Sequence, residues 1–386
     1  MNKFTKQTLN NLVEILSGFA FDSNKFSKSG EIPIIRIRDI IPRKSSTFYS
    51  GKYDEKFVIQ DGDLLIGMDG EFNRARWQGG KALLNQRVCR ISASSDKLDN
   101  AYLFHFLPLA LKVIEDATPF VTVKHLSVKT IREIEIPLPP LEEQKRIAEI
   151  LDRTQSLISK RKEAIELLGT LTQSIFIEMF GNPLTNPKGW DITKVEKIAD
   201  VQGGLQVSSS RKKYPREISY LRVANVYRGY LNLSEIKLIC ATDTEISRTL
   251  LKKNDLLIVE GHGNPNEIGR VALWDGSITE CVHQNHIIRA RFDTSKIVPL
   301  YVCQYLNSSG GRQHLLKSGK TTSGLNTINV SEVRSAPIWL PPLPLQKEFA
   351  QRIEAIEKLK ATHRASLTEL QALFASLQHR AFRGEL

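Results

Sequence analysis

Three side chains that bind soft metal ions, Cys281, His283 and His286, lie within six residues of one another. A structural zinc site takes four such ligands, and no fourth lies nearby in the sequence. On a strand, Cys281 and His283 would share one face and His286 would lie on the other. The spacing favours ordinary strand positions, and no metal site is predicted.

Other segments resemble parts of catalytic motifs without completing them. Gly319-Lys320-Thr321 matches the end of a P-loop, but His314 stands where that motif needs its first glycine. The segments nearest to an adenine methyltransferase motif begin at Asn182 and Asn264, and both lack the second proline. Glu235-Ile236-Lys237 has a nuclease-like spacing, but two-metal cleavage needs a second acidic ligand. We therefore predict no catalytic residue and no cofactor in this chain.

Charge and composition favour a soluble protein with a polyanionic partner. The 386 residues include 54 lysines and arginines and 42 aspartates and glutamates, for a net charge of +12. Such an excess favours a polyanion without identifying it, because a basic surface attracts nucleic acid and acidic membrane alike. No apolar run is long enough for a membrane span, the first residues lack the apolar core of a signal peptide, and the four cysteines are widely scattered. We expect a cytoplasmic protein with reduced thiols.

The elements that must position any functional residues occur twice. An ordered series of matches with a slowly growing offset indicates two copies of one fold with loop insertions. The matching pairs are Gly18 with Gly204 and 34–37 with 220–223 (offset 186), 63–66 with 255–258 (192), Gln86 with Gln284 (198), and 138–145 with 340–347 (202).

Each half begins with a mixed globule, which we predict to be α+β. Its apolar patterns predict a short amphipathic helix, then short strands between turn residues, then a second apolar helix. The predicted ranges are 9–16 and 195–201 for the first helix, 32–37 and 255–259 for strands, and 102–114 and 301–306 for the second helix.

Each half ends in a long helix. Pro139 and Pro140 suit its start, Glu142 favours its N-terminal dipole, and Gly181 supplies a stop. Apolar residues at alternating steps of four and three indicate a coiled-coil seam, interrupted at Arg161 and at its counterpart in the other copy. The seam residues are Ile147, Leu151, Ile158, Ile165, Leu168 and Ile175 in the first helix, and Phe349, Ile353, Ile356, Leu367, Leu370, Phe374 and Leu377 in the second.

Helices of about 40 residues are roughly 60 Å long, far longer than one globule needs for its own core. They could pair within one chain or with other chains. Antiparallel pairing within the chain would relate the two globules by an approximate two-fold axis, as suits two half-sites on duplex DNA.

The candidate DNA contacts are distributed over both globules. Arginine can pair with guanine and asparagine with adenine, while lysine neutralises phosphates. Two alternatives remain open: any one of these residues can be a solvated surface charge, and Arg36 and Arg222, which repeat in register, can brace the fold through a carboxylate. The candidates are Arg36, Arg38, Arg74, Arg76, Thr122, Lys124 and His125 in the first half, and Arg211, Lys212, Lys213, Arg222, Asn225, Asn264, Arg270, Lys320 and Asn326 in the second.

Several of these segments resemble the DNA-specificity subunit of type I restriction-modification systems. The resemblance rests on 136–144 and its copy at 340–346, on 179–183 and 381–384 at the helix ends, and on 18–21 followed by 35–37. Pro344 and Leu345 replace the expected glutamates in the second copy.

The resemblance implies two target-recognition domains, at 1–138 and 182–340, and spacer helices at 139–181 and 341–386 that form an antiparallel coiled coil. It implies a non-catalytic scaffold that reads a bipartite duplex site and binds two modification subunits, which use S-adenosylmethionine. It further implies restriction subunits that use ATP and Mg²⁺. The alternatives are a coiled-coil adaptor that binds only protein and a self-contained DNA-modifying enzyme with an unrecognised active site.

Overall fold

The computed structural model describes residues 4–118, 124–322 and 325–386. The chain divides into a first unit, Met1–Glu163 with Arg364–Leu386, and a second unit, Ala164–His363. Each unit holds one α/β domain and about half of each of two long helices. Within the described ranges, no helix combines the length and the apolar character needed to cross a membrane.

The first domain is built from short strands and helices. β2, β10, β7 and β8 form an antiparallel sheet in that order, and β3, β5, β4, β9 and β6 form another in which β4 and β9 run parallel. The strands are β1 Lys6–Thr8, β2 Val13–Ser17, β3 Phe26–Ser27, β4 Ile32–Ile35, β5 Phe48–Tyr49, β6 Val58–Ile59, β7 Leu64–Gly67, β8 Arg74–Arg76, β9 Ala82–Leu84, β10 Val88–Ala93 and β11 Glu135–Pro137; the helices are α1 Ile37–Ile40, α2 Asn100–Ala117 and α3 Val128–Arg132.

The second domain follows the first long helix, α4 (Leu141–Phe180), and precedes the second, α9 (Leu343–Ala381). Its strands are β12 Ile192–Lys194, β13 Ala199–Gly203, β14 Arg216–Leu221, β15 Lys237–Ala241, β16 Leu256–Val259, β17 Gly261–His262, β18 Val271–Leu273, β19 Cys281–His283, β20 Ile287–Phe292, β21 Lys320–Thr322, β22 Leu325–Thr327 and β23 Pro337–Trp339; its helices are α5 Asp243–Thr249, α6 Pro299–Asn307, α7 Gln313–Ser318 and α8 Val330–Ser335.

The predicted repeat is present in the strand order. The sheet β2-β10-β7-β8 recurs as β13-β20-β16-β18, and the pair β1-β11 recurs as β12-β23. The parallel pair β4-β9 recurs as the parallel pair β14-β19. This confirms the predicted fold class of two α/β domains with two long helices, and α2 and α6 match the predicted second helix of each half.

A close backbone approach explains why a glycine repeats at the start of each domain. A Cβ at Gly18 would lie 2.0 Å from the carbonyl oxygen of Asn85, and one at Gly204 would lie 2.2 Å from that of Gln284. No other residue type fits either position without moving backbone. An isolated parallel β-bridge joins Phe19 to Asn85, and its copy joins Leu205 to Gln284. Asn85 is therefore the counterpart of Gln284, and the sequence match of Gln86 with Gln284 is wrong by one residue.

The short amphipathic helices predicted at 9–16 and 195–201 are wrong. Each segment is a single 3₁₀ turn, Leu9–Asn11 or Val195–Lys197, that leads directly into a strand. Those strands, β2 and β13, pair with the central strands β10 and β20. Pairing with an existing sheet overrides the local helical spacing of the apolar residues.

A fully buried glutamine anchors the start of each long helix. Oε1 of Gln144 accepts a hydrogen bond from the N–H of Asp99 at 2.9 Å, and its Nε2 donates to two backbone carbonyls. Gln346 repeats the arrangement, since its Oε1 accepts from the N–H of Val298 at 2.8 Å and its Nε2 donates to a proline carbonyl. Asp99 and Val298 are the N-caps of α2 and α6. Each long helix is thereby tied to the apolar helix of the domain before it.

The long helices pack antiparallel in both units. In the first unit, Leu151 near the start of α4 shares a core with Leu377 near the end of α9. In the second unit, the rings of Phe176 near the end of α4 and Phe349 near the start of α9 lie 5.6 Å apart. The predicted seam residues are all buried or half-buried, as are Arg161 and His363 where the apolar pattern is interrupted.

Two leucines of α4 provide a test of this packing. Leu151 is fully buried and Leu157 is 45% exposed. We expect Leu151→Ala to lower the free energy of unfolding by about 2–5 kcal/mol, because it removes buried contacts and leaves a cavity. Leu157→Ala, the same change six residues away, should cost about 0.5 kcal/mol or less. Urea unfolding of both variants measures the difference, and equal losses would contradict the antiparallel seam.

Candidate nucleic-acid interface

The repeated arginines Arg36 and Arg222 cap the short helical turns that follow β4 and β14. The N–H of Arg36 donates to Oδ2 of Asp39 at 3.0 Å, and the N–H of Arg222 donates to Oδ1 of Asn225 at 2.9 Å. Their side chains differ: the guanidinium of Arg36 lies over the ring of Phe26, at 4.9 Å, whereas that of Arg222 is 2.5 Å from Glu235. The ion pair of Arg222 with Glu235 is the kind of carboxylate brace that the sequence left open as an alternative to DNA contact. The same ion pair engages Glu235, the carboxylate of the segment with nuclease-like spacing.

The two arginines of β8 lie against α2. Arg74 and Arg76 stack on the ring of Phe104 at 3.7 and 4.2 Å, and Arg76 pairs with Asp152 of α4 at 3.1 Å. Burial lowers the pKa of Arg74 to about 9, and the positive charges of Arg76 and Arg43 add to this effect. Both arginines thus join the sheet to α2, and Arg76 also joins it to α4; both side chains are half-buried.

Lys124 and His125 form a bridge to the loop after β7. The His125 ring Nδ1 lies 2.6 Å from Asp69, which also pairs with Arg87 at 2.7 Å. Lys124 donates to the backbone carbonyl of Glu115. His125 stays largely exposed, and Thr122 lies outside the described residues.

In the second domain, three predicted contacts are buried and bonded to other groups of the protein. Arg211 pairs with Glu245 at 2.7 Å, and Arg270 pairs with Glu267 at 3.1 Å. Asn225 is 2% exposed, and its Nδ2 donates to two backbone carbonyls of the following loop at 2.8 and 3.0 Å. Burial and these bonds argue against base reading by Arg211 and Asn225, whereas Nε of the buried Arg270 has no hydrogen-bond partner.

Three other candidates remain exposed in the second domain. Lys212 and Lys213 end the 3₁₀ turn Ser209–Lys213, and Asn264 caps the 3₁₀ turn Pro265–Glu267. The strands of Lys320 and Asn326 form a hairpin that pairs with β17, next to the loop of Asn264. Lys320 begins a strand that follows a helix, which is the reverse of the P-loop order of strand, loop and helix.

Arg228 and Arg312 are not among the residues predicted from the sequence. Both line a cavity of about 310 Å³ beside Glu267, in the second domain. The signal available in the sequence was the turn Tyr227-Arg228-Gly229-Tyr230, where Gly229 adopts a φ of +80°. Nothing in the sequence places Arg312, which lies 84 residues further along the chain, in the same cavity.

The two histidines of the segment 281–286 make contacts with other groups of the protein. Nδ1 of the buried His283 donates to the carbonyl of Ile287 at 2.8 Å, while His286 lies 3.6 Å from Glu260. Across the described ranges, no group of three potential metal ligands occurs. Burial raises the pKa of the Cys281 thiol to about 12, as expected for an inert, reduced cysteine.

Comparison with known proteins gives consistent matches over most of the chain. The family model described as the type I restriction modification DNA specificity domain matches twice, at residues 1–167 and 187–372. The EcoBI type I restriction enzyme specificity subunit of Escherichia coli is 30% identical over 98% of this chain and 85% of its own length.

Two solved structures share the fold. A type I restriction-modification S subunit from M. genitalium has a TM-score of 0.60 and 13% identity, covering 99% of this chain and 96% of that one. A chain from a study of complex assembly and conformational transition in the type I system has a TM-score of 0.57 and 18% identity, covering 99% and 98%.

Substitutions at Asn225 and Asn264 distinguish a buried structural residue from an exposed candidate for base contact. Asn225→Ala should lower the free energy of unfolding by about 1–3 kcal/mol or more, because it leaves buried backbone groups unpaired. Asn264→Ala should cost about 1 kcal/mol or less, because it removes one exposed cap. The folded Asn225 variant should keep its base preference. Urea unfolding and DNA selection with both variants test this, and a stable Asn225 variant with altered base preference would restore Asn225 as a reader.

His283 makes the second unit sensitive to acid. Burial lowers the pKa of His283 from 6.5 to about 4, since protonation would bury a second N–H at Nε2, which has no hydrogen-bond partner. Between these values the unfolded chain binds a proton that the folded chain does not, so stability falls as the pH falls. The loss from this group approaches about 3 kcal/mol near pH 4.

Urea unfolding between pH 7 and pH 4 measures this loss. We expect His283→Gln to flatten the acid dependence, and the matched control His379→Gln, at an exposed position of α9, to leave it unchanged. Equal slopes for the two variants would contradict the assignment.

Proposed function

The chain belongs to the family of type I restriction-modification DNA specificity domains and is a DNA specificity subunit of such a system, and from this membership we propose that its two α/β domains read the two unlike halves of a bipartite duplex site. Subunits of this family are not themselves catalytic. The chemistry of the complex is therefore assigned to partners, acting on DNA in the cytoplasm.

The observation that supports this proposal is that the two domains share one strand arrangement but differ in their exposed residues. The strand order of the central sheet is the same in both domains. Arg36 and Arg222 occupy matching capping positions in the two domains. Two residues further on, the exposed residue is Arg38 in the first domain and Ala224 in the second. Equivalent positions with different hydrogen-bonding ability favour different bases in the two half-sites.

We assign residues 1–138 and 182–340 as the recognition domains and 139–181 and 341–386 as the spacer. The residues that support base or phosphate contact in this proposal are those with exposed side chains, the half-buried Arg36, and those with backbone in the second-domain hairpin. They are Arg36, Arg38 and His125 in the first domain and Lys212, Lys213, Asn264, Lys320 and Asn326 in the second.

The long helices offer surfaces for the partner subunits. Besides the buried seam, they carry large apolar side chains that face solvent, and such groups favour protein contacts. We propose that two modification subunits dock there and supply S-adenosylmethionine chemistry, and that restriction subunits join them with ATP and Mg²⁺. The exposed apolar residues are Leu157, Leu167, Leu171 and Ile177 on α4, and Leu359 and Leu373 on α9.

The direct test is selection of binding sites from a random duplex pool at physiological salt, using the tagged chain isolated with its native partners. We expect two unlike half-sites at one fixed spacing, because both long helices run without interruption from one unit into the other. One short motif, or none, from a well-folded complex would contradict the two-reader mechanism.

A domain exchange supplies the control for this selection. Replacing residues 182–340 with the corresponding domain of another specificity subunit should change one half-site and leave the other and the spacing intact. A change in both halves would contradict modular reading. Partner binding without DNA affinity, unaffected by salt, would instead favour the adaptor, since phosphate contacts weaken steeply with salt.

A further inference from the structure

A basic cavity lies in the second domain beside the loop of Asn264. Its volume is about 310 Å³, and six residues line it: Arg228, Asn266, Glu267, Asn307, Ser309 and Arg312. The guanidinium groups of Arg228 and Arg312 both donate to the carbonyl oxygen of Asn266, each at 3.0 Å. Two cations from distant parts of the sequence are thus held on the same neutral acceptor.

Arg228 is positioned by a tight turn. The N–H of Tyr227 donates to the carbonyl of Tyr230 at 3.0 Å, and their rings stack 5.0 Å apart. Gly229 adopts a φ of +80° and donates to the carbonyl of Val271 at 2.8 Å. Because glycine tolerates this conformation and the turn is bonded to β18, the side chain of Arg228 projects from a fixed backbone.

Arg312 is positioned by a compact loop after α6. A Cβ at Gly311 would lie 1.9 Å from the carbonyl oxygen of Tyr305, so this position requires glycine. The N–H of Arg312 donates to the carbonyl of Ser308 at 3.2 Å. In the first domain α2 continues to Ala117 without such a loop, so the described part of that domain builds no counterpart.

The positive charge at this cavity exceeds the negative charge. Glu267 is the acidic residue of the lining, and it is shared by Arg270 at 3.1 Å and Arg228 at 3.7 Å. Arg270 is buried and also donates to the carbonyl of Val223, so it uses its charge internally. Burial lowers the pKa of Arg228, and the nearby charge of Arg312 adds to this effect. Such crowding is relieved when an anion binds between the two groups.

The chemistry of the cavity fits a phosphate group. Each guanidinium has five N–H donors in a planar fork, and bonds to Asn266 and Glu267 leave several of these free. Arginine forks match the oxygens of phosphate. Asn264, an exposed candidate reader, lies two residues before Asn266, and its Oδ1 accepts the N–H of Asn266 at 3.0 Å. A phosphate held here would fix the loop that carries Asn264.

We propose that Arg228 and Arg312 clamp one backbone phosphodiester of the duplex bound by the second domain. The clamp rests on the proposed function and deepens it, because it assigns the phosphate contact that positions the loop of Asn264 against its half-site. It contributes affinity and register without selecting bases.

Neutral variants in the intact complex test the clamp. Arg228→Gln and Arg312→Gln should each weaken binding to the selected duplex about 3- to 10-fold, and each should reduce the salt slope of binding by about one. The bases selected at both half-sites should stay the same. Arg216→Gln is the matched control, because Arg216 is exposed in the same domain and already pairs with Asp243 and Glu280. It should leave the slope unchanged.

Duplexes with single methylphosphonate substitutions identify the source of the phosphate. One neutral linkage near the second half-site should weaken wild-type binding as much as the combination of Arg228→Gln with Arg312→Gln does. The same linkage should weaken binding by that double variant no further. Titration of the complex with inorganic phosphate should show no tight binding.

Two results would overturn the clamp. One is an unchanged salt slope in both variants when thermal unfolding shows them folded; the other is tight inorganic phosphate binding with no sensitive linkage in the DNA. In either case, wild-type selection of two half-sites would leave the proposed function intact. Absence of any selected site in the wild type would count against both.

Discussion

A buried amide fixes where each long helix begins relative to the domain before it. Gln144 and Gln346 are fully buried, and each bonds to backbone groups of both the helix start and the segment that caps α2 or α6. An unsatisfied buried amide is costly, so sliding the helix by one residue would break several hydrogen bonds together. The start of each long helix relative to the domain before it therefore depends on a polar contact.

The long helices and the repeat were predictable because their signals are periodic or duplicated. Leu151 and Ile353 fall on a four-three spacing that any buried helix face must follow, and both are fully buried. Gly18 and Gly204 repeat because backbone passes too close for a side chain. In contrast, the segment starting at Leu9 has helical spacing and still forms a strand, because its partner β10 lies far along the chain.

The candidate DNA-contacting surface was less predictable, because the exposure of its residues depends on contacts between segments that are far apart in the chain. Asn225 and Asn264 are alike in sequence, but the fold buries Asn225 under a loop and leaves Asn264 exposed. Arg228 and Arg312 meet only in the folded domain. Residue type reports what a side chain can bind, whereas availability depends on contacts between distant segments. The sequence therefore predicted a basic, distributed interface as a class, and it could not separate exposed members from buried ones.

The composition of the first unit affects how the chain folds during synthesis. That unit needs residues 364–386, whereas the second unit is continuous from 164 to 363. A nascent chain can complete the second unit before the segment containing Phe374 and Leu377 leaves the ribosome. Until then, the core cluster that contains Ile147 lacks Phe374, Leu377, Ala381 and Phe382. The usual order, in which the N-terminal domain folds first, is partly reversed, and a chaperone or an early-binding partner would have its greatest effect on the unfinished first unit.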